Sequence, residues 1–226
     1  MQKIIILIVL ALFSIGLIAA ENPIALLFQA KGDIELDRAA AKSSITAGEM
    51  LENDDKLTTG DKSYAAVKFT DNGSLLKMFP WSVVTINGTK DGDHLAKKAK
   101  LEAGQMFSKI NNNLTGQYRL ETSNTVASVK GTSFLSIVDP EGNTWIHMFQ
   151  GLLEVENTIN GKRFNLEPGQ TAESRSDGEV NIGPTPKLND EIMEFIKDDL
   201  AGTQKIKVQV KDADGNIKYI EIESAE

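Results

Sequence analysis

The sequence contains no cysteine among its 226 residues. This excludes disulfides, zinc–thiolate sites, iron–sulfur clusters, thiol nucleophiles and a lipid anchor on an N-terminal cysteine. Histidine is almost as scarce, because His94 and His147 are the only two. Neither has another histidine or a cysteine at short spacing, so the sequence predicts no metal site around them.

Positive charge is also in deficit, with 24 Lys and Arg against 32 Asp and Glu and a net charge of −8. Binding to nucleic acid requires clustered cations that neutralise phosphates, so the composition predicts no nucleic-acid partner. An acidic surface likewise disfavours electrostatic docking to anionic lipid. We therefore expect membrane contact only if an N-terminal hydrophobic segment is retained.

That segment is residues 4–20, an apolar run preceded by Lys3 and closed by Ala19 and Ala20 before Glu21. The pattern predicts a secretory signal peptide at residues 1–20. The alternative is an uncleaved anchor, since the run is at the short end of what spans a bilayer. Both interpretations place residues 21–226 outside the cytoplasm, because the flanking positive charge is N-terminal.

Elsewhere long hydrophobic runs are absent, and residues 21–182 alternate between apolar and polar positions with frequent turn residues. This pattern predicts an all-β domain. We expect residues 37–44 and 87–93 to form polar loops. Gly104 is expected to separate a strand at residues 98–102 from another at residues 105–110.

The sequence around Gly131 is organised differently, with apolar Val126 and Val129 before the glycine and an apolar run at residues 133–138 after it. An isolated glycine between two apolar segments predicts a sharp bend or bulge in a core strand. A phosphate-binding loop is disfavoured, because such a loop precedes a helix and residues 133–138 are predicted as a strand.

The composition changes after residue 182, where Gly183, Pro184 and Pro186 predict a short linker over residues 183–187. Residues 188–226 are predicted to form a helix followed by a β-hairpin, as an appendage to the domain. The helix is expected over residues 188–200, with acidic residues in its first turn. Its apolar positions fall on one face at helical spacing: Leu188, Ile192, Phe195, Ile196 and Leu200.

The turn of the predicted hairpin contains Asp212, Asp214 and Asn216, which resemble the opening of a calcium-binding loop. Glu223 stands near the position of that loop's final ligand. However, residues 217–222 are predicted as a strand rather than the exiting helix of such a site. We therefore interpret these residues as a hairpin turn.

The residues with potential for catalysis are the histidines and serines. His147 alternates with Trp145 and Phe149, so we expect a partly buried, hydrogen-bonded imidazole, whereas His94 is expected in an exposed loop. Ser133 and its neighbouring serines have no adjacent base, and no nucleophile-elbow motif is present. The sequence predicts no catalytic, cofactor-binding or metal-binding residue, and hence a non-enzyme.

The sequence resembles FecR-type domains. Thr122, Val126 and the run Val129-Lys130-Gly131-Thr132-Ser133-Phe134 are similar to the family's T-P-x-A-x-V-x-V-R-G-T-x-F motif. The resemblance covers about residues 24–175, and three positions depart from the pattern: Lys130 replaces arginine, Ser123 replaces proline and Asn72 is an extra residue. Further similar segments follow the family's order: residues 57–74, 75–86, 101–104, 151–155 and 166–170.

This resemblance implies an all-β extracytoplasmic domain with a stacked or curled antiparallel arrangement, solenoid-like or sandwich. FecR regulators carry a cytoplasmic anti-sigma domain before their membrane segment, whereas two residues precede Lys3 here. The resemblance therefore implies a stand-alone form that lacks that domain and does not itself contact a sigma factor.

Three functions remain open for this sequence. The first is an exported, non-enzymatic module for sensing or scaffolding in the cell envelope, with another envelope protein as its partner. The alternative is a structural or carbohydrate-associated envelope protein that uses Trp81, Trp145 and Tyr64 as stacking surfaces. The third, an enzyme, requires a pocket that joins His147 to an acid and a serine. The sequence favours the first and leaves the partner-binding residues and the oligomeric state open.

Overall fold

The computed structural model describes residues 23–70, 74–91, 94–111, 118–201, 203–211 and 217–225. The described residues are mostly in β-strands, with one short helix, which confirms the predicted fold class. Its elements in order are β1 (Ala25–Lys31), β2 (Ile34–Arg38), β3 (Ala41–Ser44), β4 (Met50–Leu51), β5 (Lys56–Thr59), β6 (Tyr64–Phe69), β7 (Leu75–Met78), β8 (Val83–Asp91), β9 (His94–Ile110), β10 (Tyr118–Glu121), β11 (Thr125–Val138), β12 (Thr144–Asn157), β13 (Arg163–Leu166), β14 (Gln170–Ser174), β15 (Val180–Pro184), α1 (Asp190–Leu200), β16 (Thr203–Lys211) and β17 (Ile217–Ala225).

The first fifteen strands form one continuous sheet that folds into two layers. Layer A has the order β4-β1-β6-β7-β9-β11-β12-β14-β15 and uses the second halves of β9 and β11 and the first half of β12. Layer B has the order β3-β2-β5-β8-β9-β10-β11-β12-β13 and uses the opposite halves of the same three strands. The arrangement is therefore a sandwich whose layers share three strands.

The main hydrophobic core lies between the layers. Alternation in each strand points every second side chain inward. Leu76, Met106 and Phe134 from layer A meet Leu101 and Leu153 from layer B in one buried cluster. The two inner faces thus supply one contiguous core.

The three shared strands turn their corners at glycines. Gly104, Gly131 and Gly151 all have positive φ, at 84°, 63° and 85°. A Cβ on Gly151 would lie 2.4 Å from the carbonyl oxygen of Gly131, and a Cβ on Gly104 would lie 2.6 Å from the carbonyl oxygen of Trp81. Only glycine satisfies both the backbone angle and the close approach. The pairing of β11 with β12 also shifts register after Lys130, so the bend predicted at Gly131 is confirmed.

Three predicted boundaries were wrong. Gly104 does not end a strand, because β9 continues through it from His94 to Ile110. The loop expected at residues 37–44 contains β3, whose four residues are all exposed, and β8 extends to Asp91 through the loop expected at residues 87–93. These segments pair with β2 and β9 through backbone hydrogen bonds and need no apolar alternation.

Helix α1 packs on the outer face of layer A. Asn189 caps its N-terminus by accepting a hydrogen bond from the Ile192 amide at 2.7 Å, so the helix begins two residues after the predicted start. The predicted apolar face is confirmed, and it forms a second buried cluster with the sheet. Its members are Phe79, Phe107, Leu135, Ile192 and Ile196, joined by partly buried Tyr64, Ile137, Phe149, Leu188, Phe195 and Leu200.

Strand β15 ends at Pro184, and residues 185–189 connect it to α1. The chain then forms the two-stranded sheet β16–β17, in which Ile206 lies opposite Ile222 and Val208 opposite Ile220. The predicted hairpin is therefore present, whereas Asp212, Asp214 and Asn216 lie outside the described residues. Residues 1–20, predicted as the signal peptide, also lie outside them. Within the part of the chain that the structure describes, no helix has the length and apolarity of a membrane span.

Candidate partner-binding groove

A groove of about 810 Å³ runs between α1 and the neighbouring strands β1 and β6 on the outer face of layer A. We call it the α1 groove. The sheet contributes Phe28 and Ala66, the loop after β3 contributes Ala47, and the helix contributes Glu194 and Phe195. Its size lies within the range of about 300–1,000 Å³ that is usual for ligand sites.

Three aromatic rings fix one wall of the groove. Tyr64 lies 5.0 Å from Phe195 and 6.2 Å from Phe79 between ring centroids, and Phe79 lies 5.3 Å from Phe195. Two of the three contacts are edge-to-face, the geometry that aromatic quadrupoles favour. The wall is therefore held in place by the second hydrophobic cluster and does not depend on a bound partner.

The hydroxyl of Tyr64 donates a hydrogen bond to the carboxylate of Glu191, which joins β6 to the first turn of α1. This bond is the main reason that the pKa of Tyr64 rises to about 12. The phenol consequently stays protonated at physiological pH and cannot act as a general base there. The ammonium of Lys31 lies 5.4 Å from the centroid of the Tyr64 ring, a cation–π contact.

The helix is fixed near its other end as well. Lys77 forms an ion pair with Asp199 and donates a 2.6 Å hydrogen bond to the carbonyl oxygen of Phe195. Gln150 donates a 2.9 Å hydrogen bond from Nε2 to the carbonyl oxygen of Leu200. Because both ends are tied to layer A, the groove has a preformed wall.

The other border of the groove is an open strand edge. The loop around Gly48 covers β1 as far as Leu27, whose amide and carbonyl bond to Glu49 and Gly48 at 2.9 Å each. A register shift places a bulge at Phe28. Residues 29–31 then pair with β6 on one side, and no other described strand pairs with them on the other.

A second depression, of about 260 Å³, lies on the outer face of layer B. Its two arginines are already paired with neighbouring carboxylates: Arg119 with Glu121 and Arg163 with Glu156, each at 2.9 Å. This smaller site is therefore neutralised by the protein's own charges, and the α1 groove is the stronger candidate.

His147 does not contribute to the α1 groove. It is 4% exposed, and its Nδ1 lies 2.7 Å from the hydroxyl oxygen of Thr171, which donates to Thr185 at 3.1 Å. Burial lowers the pKa of His147, so the ring is neutral near pH 7. The imidazole is hydrogen-bonded, as predicted, and it is more deeply buried than the sequence predicted.

The structure does not bring the candidate serines to a base. Ser133 and Ser136 are buried in layer A, and Ser128 is exposed on layer B. The side chain of His94 lies outside the description. Within the described residues, no group of three or more His, Asp or Glu side chains could hold a metal ion.

The proposed stacking residues have unequal exposure. Trp81 is 66% exposed, and its φ of 61° is unusual for a bulky residue. Trp145 is half-buried, and Tyr64 belongs to the aromatic wall of the α1 groove. Of the three, only Trp81 offers an exposed ring.

Sequence reasoning did not find the α1 groove. Its borders come from β1, β6 and α1, and β1 ends at Lys31 whereas α1 begins only at Asp190. The apolar face of α1 was visible as a pattern, but the surface on which it packs was not. No local signal in the sequence marks residues 29–31 as an open edge.

Comparison with known proteins supports the sequence resemblance. The model of the family described as FecR protein matches residues 55–171, just over half of the chain. No curated protein matches the chain in sequence. The matched segment contains β6 but neither β1 nor α1. The α1 groove thus joins the family domain to elements on both sides of it.

Two similar solved structures are of a "putative anti-sigma factor" from Parabacteroides distasonis ATCC 8503. The structure at 2.50 Å resolution has a TM-score of 0.50 and 14% identity, with 66% of this chain and 66% of that chain covered. The structure at 1.65 Å has a TM-score of 0.49 with the same identity and coverage. The chain thus spans just under two thirds of that protein's length, and at this identity the likeness concerns the fold alone. The match of the family model to more than half of the residues places this chain in the FecR family.

Proposed function

We propose that the chain is an exported, non-enzymatic FecR-family protein of the cell envelope that senses or scaffolds by binding another protein in the α1 groove. Membership in the FecR family indicates a role in signalling or sensing. The observation that carries the proposal is the groove itself, which combines a preformed aromatic wall with an open strand edge. Apolar surface with a few placed polar groups is what a binding site requires.

Binding explains the chemistry of the groove better than catalysis does. Tyr64 is held in its neutral form, and its partner Glu191 already accepts that hydrogen bond. The remaining ionisable groups that line it are Lys31 and Glu194. Glu194 bonds to Lys197 at 2.6 Å. Tyr64 and Glu191 form a hydroxyl–carboxylate pair, but the raised pKa of the phenol opposes formation of the phenolate that nucleophilic catalysis requires.

The composition of the groove also suggests how a partner would be selected. Residues 55–171 supply the scaffold of the family, while β1 and α1 lie outside that segment. A site built where the scaffold meets its flanking elements can change its partner through the exposed residues of β1 and α1. A carbohydrate-associated role has weaker support, since Trp81 is the one exposed ring among its three candidates.

The test is site-specific photo-crosslinking in living cells. A photoreactive phenylalanine analogue at Gln29 lies on the open edge of β1, and the same analogue at Glu167 serves as the control in an exposed turn. We expect one discrete protein adduct from Gln29 that is absent from Glu167, with the chain recovered outside the cytoplasm. Identical adduct patterns at both positions, or a chain retained in the cytoplasm, would contradict the proposal.

A further inference from the structure

The shape of the α1 groove indicates what kind of partner it takes. We propose that the groove binds an extended, cationic peptide segment of the partner protein, which adds a strand to β1 at residues 29–31. This inference rests on the proposed function, because it names the chemistry of the partner at the same site.

The first argument is the open edge of β1. An unpaired strand edge presents N–H and C=O groups that pair readily with another extended chain. The loop that protects β1 stops at Leu27, and the bulge at Phe28 separates that protected part from residues 29–31. The exposed section is about 10 Å long at roughly 3.3 Å per residue, enough for a short added strand.

The second argument is that the groove lies directly beside this edge. Phe28 and Ala30 of β1 line it, as does Ala66 on the neighbouring strand. In an added strand, alternate side chains point to the same face of the sheet. Every second side chain of the incoming segment would therefore enter the space between Ala66 and the Phe195 side of the helix. Main-chain pairing would supply affinity, and the groove would select those side chains.

The third argument is charge. Glu191 and Glu194 line the helix side of the groove, and Lys31 is directed over the ring of Tyr64. Glu194 is paired with Lys197, whereas Glu191 accepts a hydrogen bond from the neutral phenol of Tyr64 and keeps its negative charge. The whole chain carries a net charge of −8, so a second copy would be repelled at long range. A segment with Lys or Arg at alternate positions would instead place a cation near Glu191, which has no ion pair with another described residue. Charge complementarity thus favours a basic partner over self-association.

The absence of cysteine makes disulfide trapping a direct test. Gln29→Cys introduces a single thiol on the open edge, and Glu167→Cys introduces one at the exposed control site. The probes are eleven-residue peptides in which Lys alternates with Val or Thr, each with one cysteine moved along the sequence. The peptide cysteine is activated as a mixed disulfide with thiopyridine, so that the protein thiolate attacks it and thiopyridine leaves. We expect Gln29→Cys to capture the peptides with a period of two along the cysteine scan, and Glu167→Cys to capture them uniformly and weakly.

Capture without periodicity would overturn strand addition. The proposed function would still hold in that case if photo-crosslinking at Gln29 identified a protein partner. Capture at no position would also overturn strand addition. A disulfide-linked dimer of Gln29→Cys, with dimers of the unmodified chain in sedimentation, would identify a second copy as the occupant and contradict the cationic partner.

A charge variant tests the third argument separately. Glu194→Lys should weaken binding of the Lys-containing peptide about tenfold, whereas the matched variant Glu167→Lys should change its Kd less than twofold. A peptide with Glu in place of Lys should bind neither the wild-type chain nor Glu167→Lys. Equal Kd values for the two variants, with unchanged thermal melting of both, would show that the groove does not select cations.

Discussion

The ammonium of Lys77 lies 4.6 Å from the centroid of the Phe195 ring and 2.6 Å from the carbonyl oxygen of the same residue. One side chain of β7 therefore holds both the ring and the backbone of α1. The ion pair with Asp199 adds a third contact, and the two charged side chains are 12% and 18% exposed. Lys77 is thus the principal polar anchor of the helix on layer A.

We expect Lys77→Met to lower the free energy of unfolding by about 2 kcal/mol, because it leaves the partly buried Asp199 without its cation. The methionine keeps the apolar stem, so the loss reports the charge and its hydrogen bond. Urea denaturation measures the change. Lys42→Met is the control, since its ion pair with Glu35 is exposed and should contribute little. Equal midpoints for the two variants would contradict the role of Lys77.

The glycine corners predict a steep difference between two alanine substitutions. Gly151→Ala should cost about 3 kcal/mol, because its Cβ collides with the Gly131 carbonyl in addition to the strain of positive φ. Gly161→Ala has a positive φ of 71° but open space around its Cβ, so it should cost about 1 kcal/mol. Thermal unfolding of both variants checks the comparison, and equal losses would show that the corner tolerates a side chain.

The burial of His147 predicts that the folded chain loses stability in weak acid. Its pKa is lowered in the folded chain by burial, whereas the unfolded chain has an ordinary imidazole with a pKa of about 6.5. The unfolded state therefore binds a proton first, and the free energy of unfolding falls as the pH drops below about 6.5. Chemical denaturation between pH 7.5 and pH 5 measures this slope.

The variant His147→Gln should flatten that slope, and His94→Gln is the matched control. Carboxylates with lowered pKa values, such as Glu102, titrate below this window and do not obscure it. A slope that persists in His147→Gln and disappears in His94→Gln would assign the pH dependence to the other histidine.

Trp81 combines a positive φ with an exposed ring. At this position glycine should be more stable than alanine by about 0.5 kcal/mol, because relief of left-handed strain exceeds the entropic cost of glycine. Thermal melting of Trp81→Gly and Trp81→Ala compares two variants that lose the same indole. Greater stability of the alanine variant would show that the surrounding turn relaxes to a negative φ.

Parts of the fold followed from the sequence because they depend on local patterns. The apolar face of α1 was predictable from helical spacing, and the bend at Gly131 from a glycine between two apolar segments. The continuity of β9 through Gly104 was not predictable, because a glycine that bends a strand and a glycine that ends a strand have the same local sequence pattern. Likewise β3 has no buried residue, so its pairing with β2 left no hydrophobic signal.

The α1 groove could not be predicted from local sequence patterns, for a related reason. Tyr64 and Glu191 are 127 residues apart in the sequence, and their contact depends on how α1 docks on layer A. The open edge at residues 29–31 is likewise defined by where the Gly48 loop stops. Features that arise from long-range docking have no spacing in the sequence by which they can be recognised.

The strands that bend at Gly104, Gly131 and Gly151 continue from one layer into the other, so the layers are joined by hydrogen-bonded strands and not only by loops. In a sandwich whose two sheets are joined only by loops, a pulling force on one sheet can separate it from the other. Here the backbone ladders run around the corners, so a load applied at β1 reaches layer B through hydrogen-bonded strands. A force applied by a protein bound at one face would therefore act on both layers together, and the two layers would move as one rigid unit.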